Sequence, residues 1–197
     1  MARTRDEAQH AKRREGILLA AARLFKTRGF HRSRTEDICV EAGISPGSLF
    51  RHFPDKQAII MAIAEREFEG YRSDVESLAT RDGIERLGKL SPEALVELLK
   101  PKVYELGVDS WLELSRDPET RRRLRTANQE LRDHLSQRLK SGQNEGWVRK
   151  ALDCDGAASL MLAMFGGLTT ESELGLAPDA TSAARAMGDL VRRFILS

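Results

Sequence analysis

The chain has 197 residues, of which 41% are hydrophobic and 31% charged; that composition fills a real core beneath a polar, helix-rich surface, and no apolar run approaches the ~20 residues that span a bilayer. The formal net charge of +2 hides an asymmetry: residues 1–56 hold twelve basic against seven acidic side chains, a net of +5, and the remainder holds 20 against 23, a net of −3. Positive charge gathered at one end is the footprint of a protein that holds a phosphate backbone at that end.

The first helix is predicted from Glu7 or Lys12 to Arg28, with Ile17, Ala21, Leu24 and Phe25 on one face and Gly29 ending it. Thr35 reads as the N-cap of a second helix that carries Ile38, Cys39 and Ala42. Gly43 stands where that helix must stop and turn, a position that favours positive φ, and Ile44 follows as an apolar plug. Ser45-Pro46 then opens a third helix, Ser as N-cap and Pro at the first helical position, where its missing N–H costs nothing. Leu49 and Phe53 point inward; Ser48, Arg51 and His52 are expected to face out. This is a helix-turn-helix, whose second helix suits a DNA major groove.

Pro54-Asp55 opens a long helix expected to reach Leu78, with Met61, Ala64, Phe68, Tyr71, Val75 and Leu78 on one stripe. Thr80 to Leu90, carrying Gly83 and Gly88, reads as a loop. Ser91-Pro92 starts the next helix, which Pro101 should kink or end. Another runs to Ser115 with Tyr104, Val108, Trp111 and Leu112 inward. Asp117-Pro118 starts a helix to about Lys140, with Leu124, Leu131, Leu135 and Leu139 buried, and Gly142 and Gly146 ending it. Asp153 or Asp155 opens a helix to Thr170 that is apolar nearly all round, so it is buried on every side or packs on another subunit. After a loop from Ser172 to Asp179, the last helix takes Ala180 to Leu196.

The head resembles the N-terminal domain of the TetR family of bacterial transcriptional regulators over Arg14 to Ile63. The family's Phe-x-x-x-Gly-[Tyr/Phe] appears as Phe25 to Phe30. Its Thr-x-x-x-Ile-Ala-x-x-Ala-Gly-Val-Ser-x-Gly-x-Leu-Tyr-x-His-Phe appears, one residue tighter at its start, from Thr35 to Phe53, and its following lysine is Lys56. Cys39 replaces the usual alanine. Phe50 replaces the usual tyrosine, which removes one phosphate hydrogen bond that the family implies. The resemblance implies an all-α fold: an N-terminal three-helix helix-turn-helix domain, residues 1–56, and a C-terminal six-helix ligand-binding and dimerisation domain, residues 57–197. It also implies a homodimer on a double-stranded DNA operator, released by a small, mostly apolar effector.

Candidate base-reading positions are Ser45, Gly47, Ser48, Arg51 and His52; Arg51 can fork to a guanine. Arg34, Thr35 and Lys56 are read as phosphate contacts, with Phe50 beside them on the DNA-binding surface. His52 has an alternative role, packing beside Phe53. The Arg3, Arg5, Lys12, Arg13, Arg14 cluster reads either as an arm that grips DNA or as a solvated tail. The run Arg121-Arg122-Arg123 with Arg125 reads as a solvated face.

For the effector the candidates are Phe68, Tyr71, Tyr104, Trp111, Asn128, Met161, Met164 and Phe165, each of which can equally be plain core. The dimer candidates are Leu160, Ala163, Ala183, Met187, Leu190 and Phe194, against the alternative that the last two helices only complete the monomer. No phosphate-binding glycine loop or nucleophile motif is present. The four histidines are scattered without ligand spacing, so no catalysis, metal or cofactor is expected. Cys39 and Cys154 lie far apart and read as free thiols in a reducing compartment. That, with a basic N-terminus lacking the apolar stretch of a secretory signal, predicts a cytoplasmic protein. The rival readings are a DNA-organising or interaction protein without an effector, and an all-helical enzyme.

Overall fold

The computed structural model describes residues 2–100 and 102–197, with side chains from Glu7 onward. Among these residues the secondary structure is helical, with one isolated antiparallel bridge, Val148 to Leu196. The helices are α1 Ala2–Arg28, α2 Thr35–Ala42, α3 Pro46–His52, α4 Lys56–Leu78, α5 Arg81–Gly88, α6 Pro92–Leu98, α7 Val108–Leu114, α8 Pro118–Glu145, α9 Cys154–Glu173 and α10 Ala180–Leu190, followed by a π-turn at Val191–Ile195.

The chain divides into two compact units: Met1–Glu69 with Lys102–Arg121, and Gly70–Pro101 with Arg122–Ser197. The first therefore extends past the boundary expected at residue 56. The reason is packing: Ile59, Ile60 and Ile63 of α4, with Leu106 and Leu114, share one core with Ile17, Leu18 and Phe25 of α1, Ile38 of α2 and Leu49 of α3. Burying each such side chain contributes about 1.5–3 kcal/mol. The second unit has its own core from Ile84 and Leu87, Leu131, Leu135 and Leu139, Met161 and Leu162, and Met187, Val191 and Ile195.

Several boundaries differ from the sequence reading. The basic segment read as an arm or a solvated tail belongs to α1, which begins at Ala2; the side chains of Arg3 and Arg5 lie outside the described residues. The Thr80–Leu90 segment is helix α5, capped by Thr80 Oγ1 accepting from Gly83 N–H at 3.0 Å. Gly83 is there for room, not for a turn: a β-carbon on it would lie 2.5 Å from the Ser77 carbonyl oxygen. Gly88 is buried inside the helix, where a β-carbon would meet Arg192, Leu196 and Val191 at ordinary contact distance.

Gly142 likewise sits inside α8, where a β-carbon would meet the Trp147 ring at 2.6 Å. Gly146, at φ 86°, ends that helix. Tyr104 precedes α7 instead of lying on it, and Leu112 faces out, leaving Leu114 as the fully buried apolar residue of that helix, beside buried Ser110. The effect expected of Pro101 falls outside the described residues.

Candidate nucleic-acid interface

The helix-turn-helix is locked by local chemistry. Gly43 closes α2 at φ 63°, ψ 40°, and its N–H and that of Ile44 return to the carbonyls of Val40 and Cys39. Ser45 caps α3, its Oγ accepting from Ser48 N–H at 3.3 Å, with Pro46 at the first helical position. Leu49 and Phe53 are buried as expected. Thr35 does not cap α2. Arg34 occupies the N-cap position, and its N–H donates to Asp37 Oδ2 at 2.9 Å. A carboxylate three residues in accepts from the cap N–H, while the Thr35 hydroxyl donates to Glu36 at 3.4 Å.

At 3.6 residues per turn, α3 splits into two sectors. Pro46, Gly47, Phe50 and Arg51 are exposed together; Ser48, Leu49, half-buried His52 and Phe53 face inward. Ser48 and His52 therefore do not stand outward as the sequence suggested. Ser48 Oγ and His52 Nδ1 are buried without a hydrogen-bond partner among the described residues. The His52 ring lies against His10 of α1, centroids 4.2 Å apart, and the Arg14 guanidinium sits 4.9 Å from the centre of the Phe53 ring. Burial first, then His10, Arg13, Arg51 and Arg14, lower the His52 pKa.

Gly47 has open space where a β-carbon would stand, so none of the described residues requires glycine there. Arg34, Ser45 and Arg51 are exposed and Thr35 is half-buried. Lys56 is committed internally: its Nζ donates to Phe30 O at 2.8 Å and Ser33 O at 3.1 Å, and lies 4.1 Å from the Phe30 ring centre. It ties α4 to the turn after α1, and burial pulls its pKa down. The sequence hid this role because it rests on two backbone carbonyls more than twenty residues away.

The effector candidates fall in both units. In the first, Phe68 and Trp111 meet edge to face, centroids 5.5 Å apart. The Glu67 carboxylate beside them accepts from Trp111 Nε1–H at 3.1 Å and Leu106 N–H at 2.8 Å. Tyr104 donates its hydroxyl to Glu15, and burial together with that carboxylate pushes its pKa up to about 12.

In the second unit, Met161 is buried in the core, with Tyr71, Met164 and Phe165 packed against it; Asn128 is half-buried on α8. That unit also has a cavity of about 350 Å³ lined by Arg81, Glu85, Lys89, Trp147, Arg192 and Leu196. None of these residues was a candidate, because charged positions on separate short segments leave no periodic mark. The Trp147 indole donates to Glu145 at 2.9 Å.

Of the dimer candidates, Met187 belongs to the second unit's own core and Ala183 is half-buried. Leu160 on α9 is 72% exposed and Phe194 61%, and Ala163 and Leu190 are exposed with them. Among the described residues no group of His, Cys, Asp and Glu is arranged to hold a metal ion, and no helix is long and apolar enough to cross a membrane. Both cysteines are buried free thiols, with burial raising their pKa.

Residues 17–63 match the model of bacterial regulatory proteins of the tetR family, and residues 84–197 match that of the BetI-type transcriptional repressor C-terminal domain. The chain belongs to the TetR family. Among curated relatives, the HTH-type transcriptional regulator UidR of Escherichia coli K12 is 29% identical over 172 residues, 85% of this chain and 84% of that protein.

Among solved structures, a transcriptional regulator from Saccharomonospora viridis in complex with choline aligns with TM-score 0.73 and 25% identity, over 95% of this chain and 99% of that one. A TetR regulator from Haloarcula marismortui shares the fold with TM-score 0.72 at 19% identity, over 95% of this chain and 100% of that one. As a member of this family the chain is a DNA-binding transcriptional regulator, not an enzyme.

Proposed function

We propose that this regulator is a homodimeric repressor that leaves its operator when a small, mostly apolar molecule binds. The observation that carries the DNA half is the exposed sector of α3, with Gly47 open and Arg51 outward over a helix seated by Leu49. Arg51 reads a base, while Arg34, Thr35 and Ser45 at the two helix starts hold phosphates. The remaining N–H of Lys56 can join them. The exposed apolar residues of α9 and the last helix, Leu160, Leu190 and Phe194, support a subunit contact. Two heads would then sit about 34–36 Å apart on a near-palindromic site.

For the effector, ring faces at Phe68 and Trp111 backed by the Glu67 carboxylate suit an apolar molecule carrying a positive charge. The neighbour from Saccharomonospora viridis is seen with choline, a small organic cation, so choline is the first compound to test. The protein acts in the cytoplasm.

The test is selection of a binding sequence from random duplex DNA, then titration. Affinity should fall steeply with salt, since the basic head must displace counterions. Arg51→Ala should cost about 1–3 kcal/mol on the selected sequence and less on random DNA. Equal losses on both would confine Arg51 to phosphate contact. Effector release is checked by adding choline and apolar cations to the bound complex. If a broad screen leaves binding unchanged, the effector-free reading stands instead.

A further inference from the structure

The exposed sector of α3 holds one side chain that can donate hydrogen bonds, Arg51. The others are Gly47, Pro46 and Phe50. Phe50 is 50% exposed, an unusual place for a ring with no polar atom. Four residues after Pro46, it lies on the same side of the helix, so ring and pyrrolidine form one apolar patch beside the bare backbone of Gly47. The hydroxyl-bearing residues nearby do not enlarge the polar readout: Ser48 is buried, and Ser45 Oγ accepts from the backbone as a cap.

In the major groove the apolar feature of a base pair is the C5-methyl group of thymine, which a phenylalanine ring can contact; arginine forks to guanine O6 and N7. We propose that Phe50 is a specificity residue that reads a thymine methyl group, next to the base read by Arg51. This rests on the base-reading role of α3 proposed above. Gly47 matters to it because a side chain there would hold the ring and the groove apart. A phenylalanine cannot donate to a phosphate, so its contribution is shape and apolar contact alone.

The probe is the DNA sequence the protein selects from a random pool, with each thymine replaced in turn by deoxyuridine. The replacement removes one methyl group and leaves the base-pairing edge intact. At one thymine per half-site the affinity should drop roughly two- to fivefold, the scale of one buried methyl. Phe50→Ala should bind more weakly and become indifferent to that replacement; Phe50→Leu should keep part of the sensitivity. Because Phe50 lies outside the core, both variants should melt like the parent.

Deoxyuridine tolerated at every position would overturn the proposal. So would sensitivity that survives in Phe50→Ala, or a selected half-site without thymine. If no sequence is enriched at all, the base-reading role of α3 fails as well, which sets that outcome apart from failure at Phe50 alone.

Discussion

The α2–α3 pair and the α9–α10 pair solve opposite problems. In the first, the apolar side chains turn into the unit's own core, leaving Phe50 and Val40 as its large exposed hydrophobics. Caps and a positive-φ glycine fix its geometry from within a few residues. In the second, Met161, Leu162 and Met187 fill the unit's core, yet Leu160, Leu190 and, on the π-turn that continues α10, Phe194 remain outside it. One pair is complete as a folded object and presents a surface for a charged polymer. The other has apolar surface left over, and exposed apolar patches on soluble proteins mark places where something else docks.

If a second copy covers that surface, Phe194→Glu should weaken association by about 3–5 kcal/mol, the cost of an unpaired buried charge. The helical content of the isolated chain should not change. Sedimentation of parent and variant checks this. A parent that stays monomeric at micromolar concentration breaks the comparison, because the exposed residues would then have no partner.

A matched pair of substitutions sharpens it. Gly43 in the first unit and Gly146 in the second both have positive φ, and a β-carbon at either meets none of the described residues within 4 Å. Gly43→Ala and Gly146→Ala should therefore each cost roughly 1–2 kcal/mol, all of it backbone strain. Only Gly43→Ala should also weaken DNA binding, since it alone sets the angle between α2 and α3. Denaturant melts beside DNA titrations separate the two effects.

The smallest expected effect is a pH dependence of the first unit. The folded-state pKa of His52 lies below its ordinary 6.5, so the unfolded chain takes up the proton first. Stability is unaffected above that value and falls as the pH drops through it towards the lowered one. Melting temperatures between about pH 8 and about pH 5.5 should show the loss, and His52→Gln should flatten it. A parent whose stability rises on acidification would contradict the packing of His52 against His10.

The contrast between the pairs also explains what could be read in advance. Gly43, Ser45-Pro46 and Leu49 act on neighbours a few residues away, so their pattern is visible in a single chain. Helix α5 was hidden because Gly83 and Gly88 look like turn residues, and only the Ser77 and Leu78 backbone packed on Gly83 reveals the opposite role there. The same ambiguity shortened α8 at Gly142. Ser48 and His52 were misplaced because a seven-residue helix gives too few turns to fix its phase; the position of α1, which carries His10, decides it. Lys56 matched a motif but not a mechanism, since its partners Phe30 O and Ser33 O are backbone atoms that no side-chain pattern displays.

The two tryptophans have a practical consequence. Trp111 belongs to the first compact unit and Trp147 to the second, and each indole N–H donates to a glutamate, Glu67 and Glu145 respectively. Their emission therefore divides by unit. Trp147→Phe leaves a fluorophore beside the Phe68 ring that responds to whatever approaches Glu67. Trp111→Phe leaves one that reports the joint between α8 and the C-terminal turn. Read side by side during unfolding, the two single-tryptophan proteins would show whether the units melt as one cooperative body or in succession.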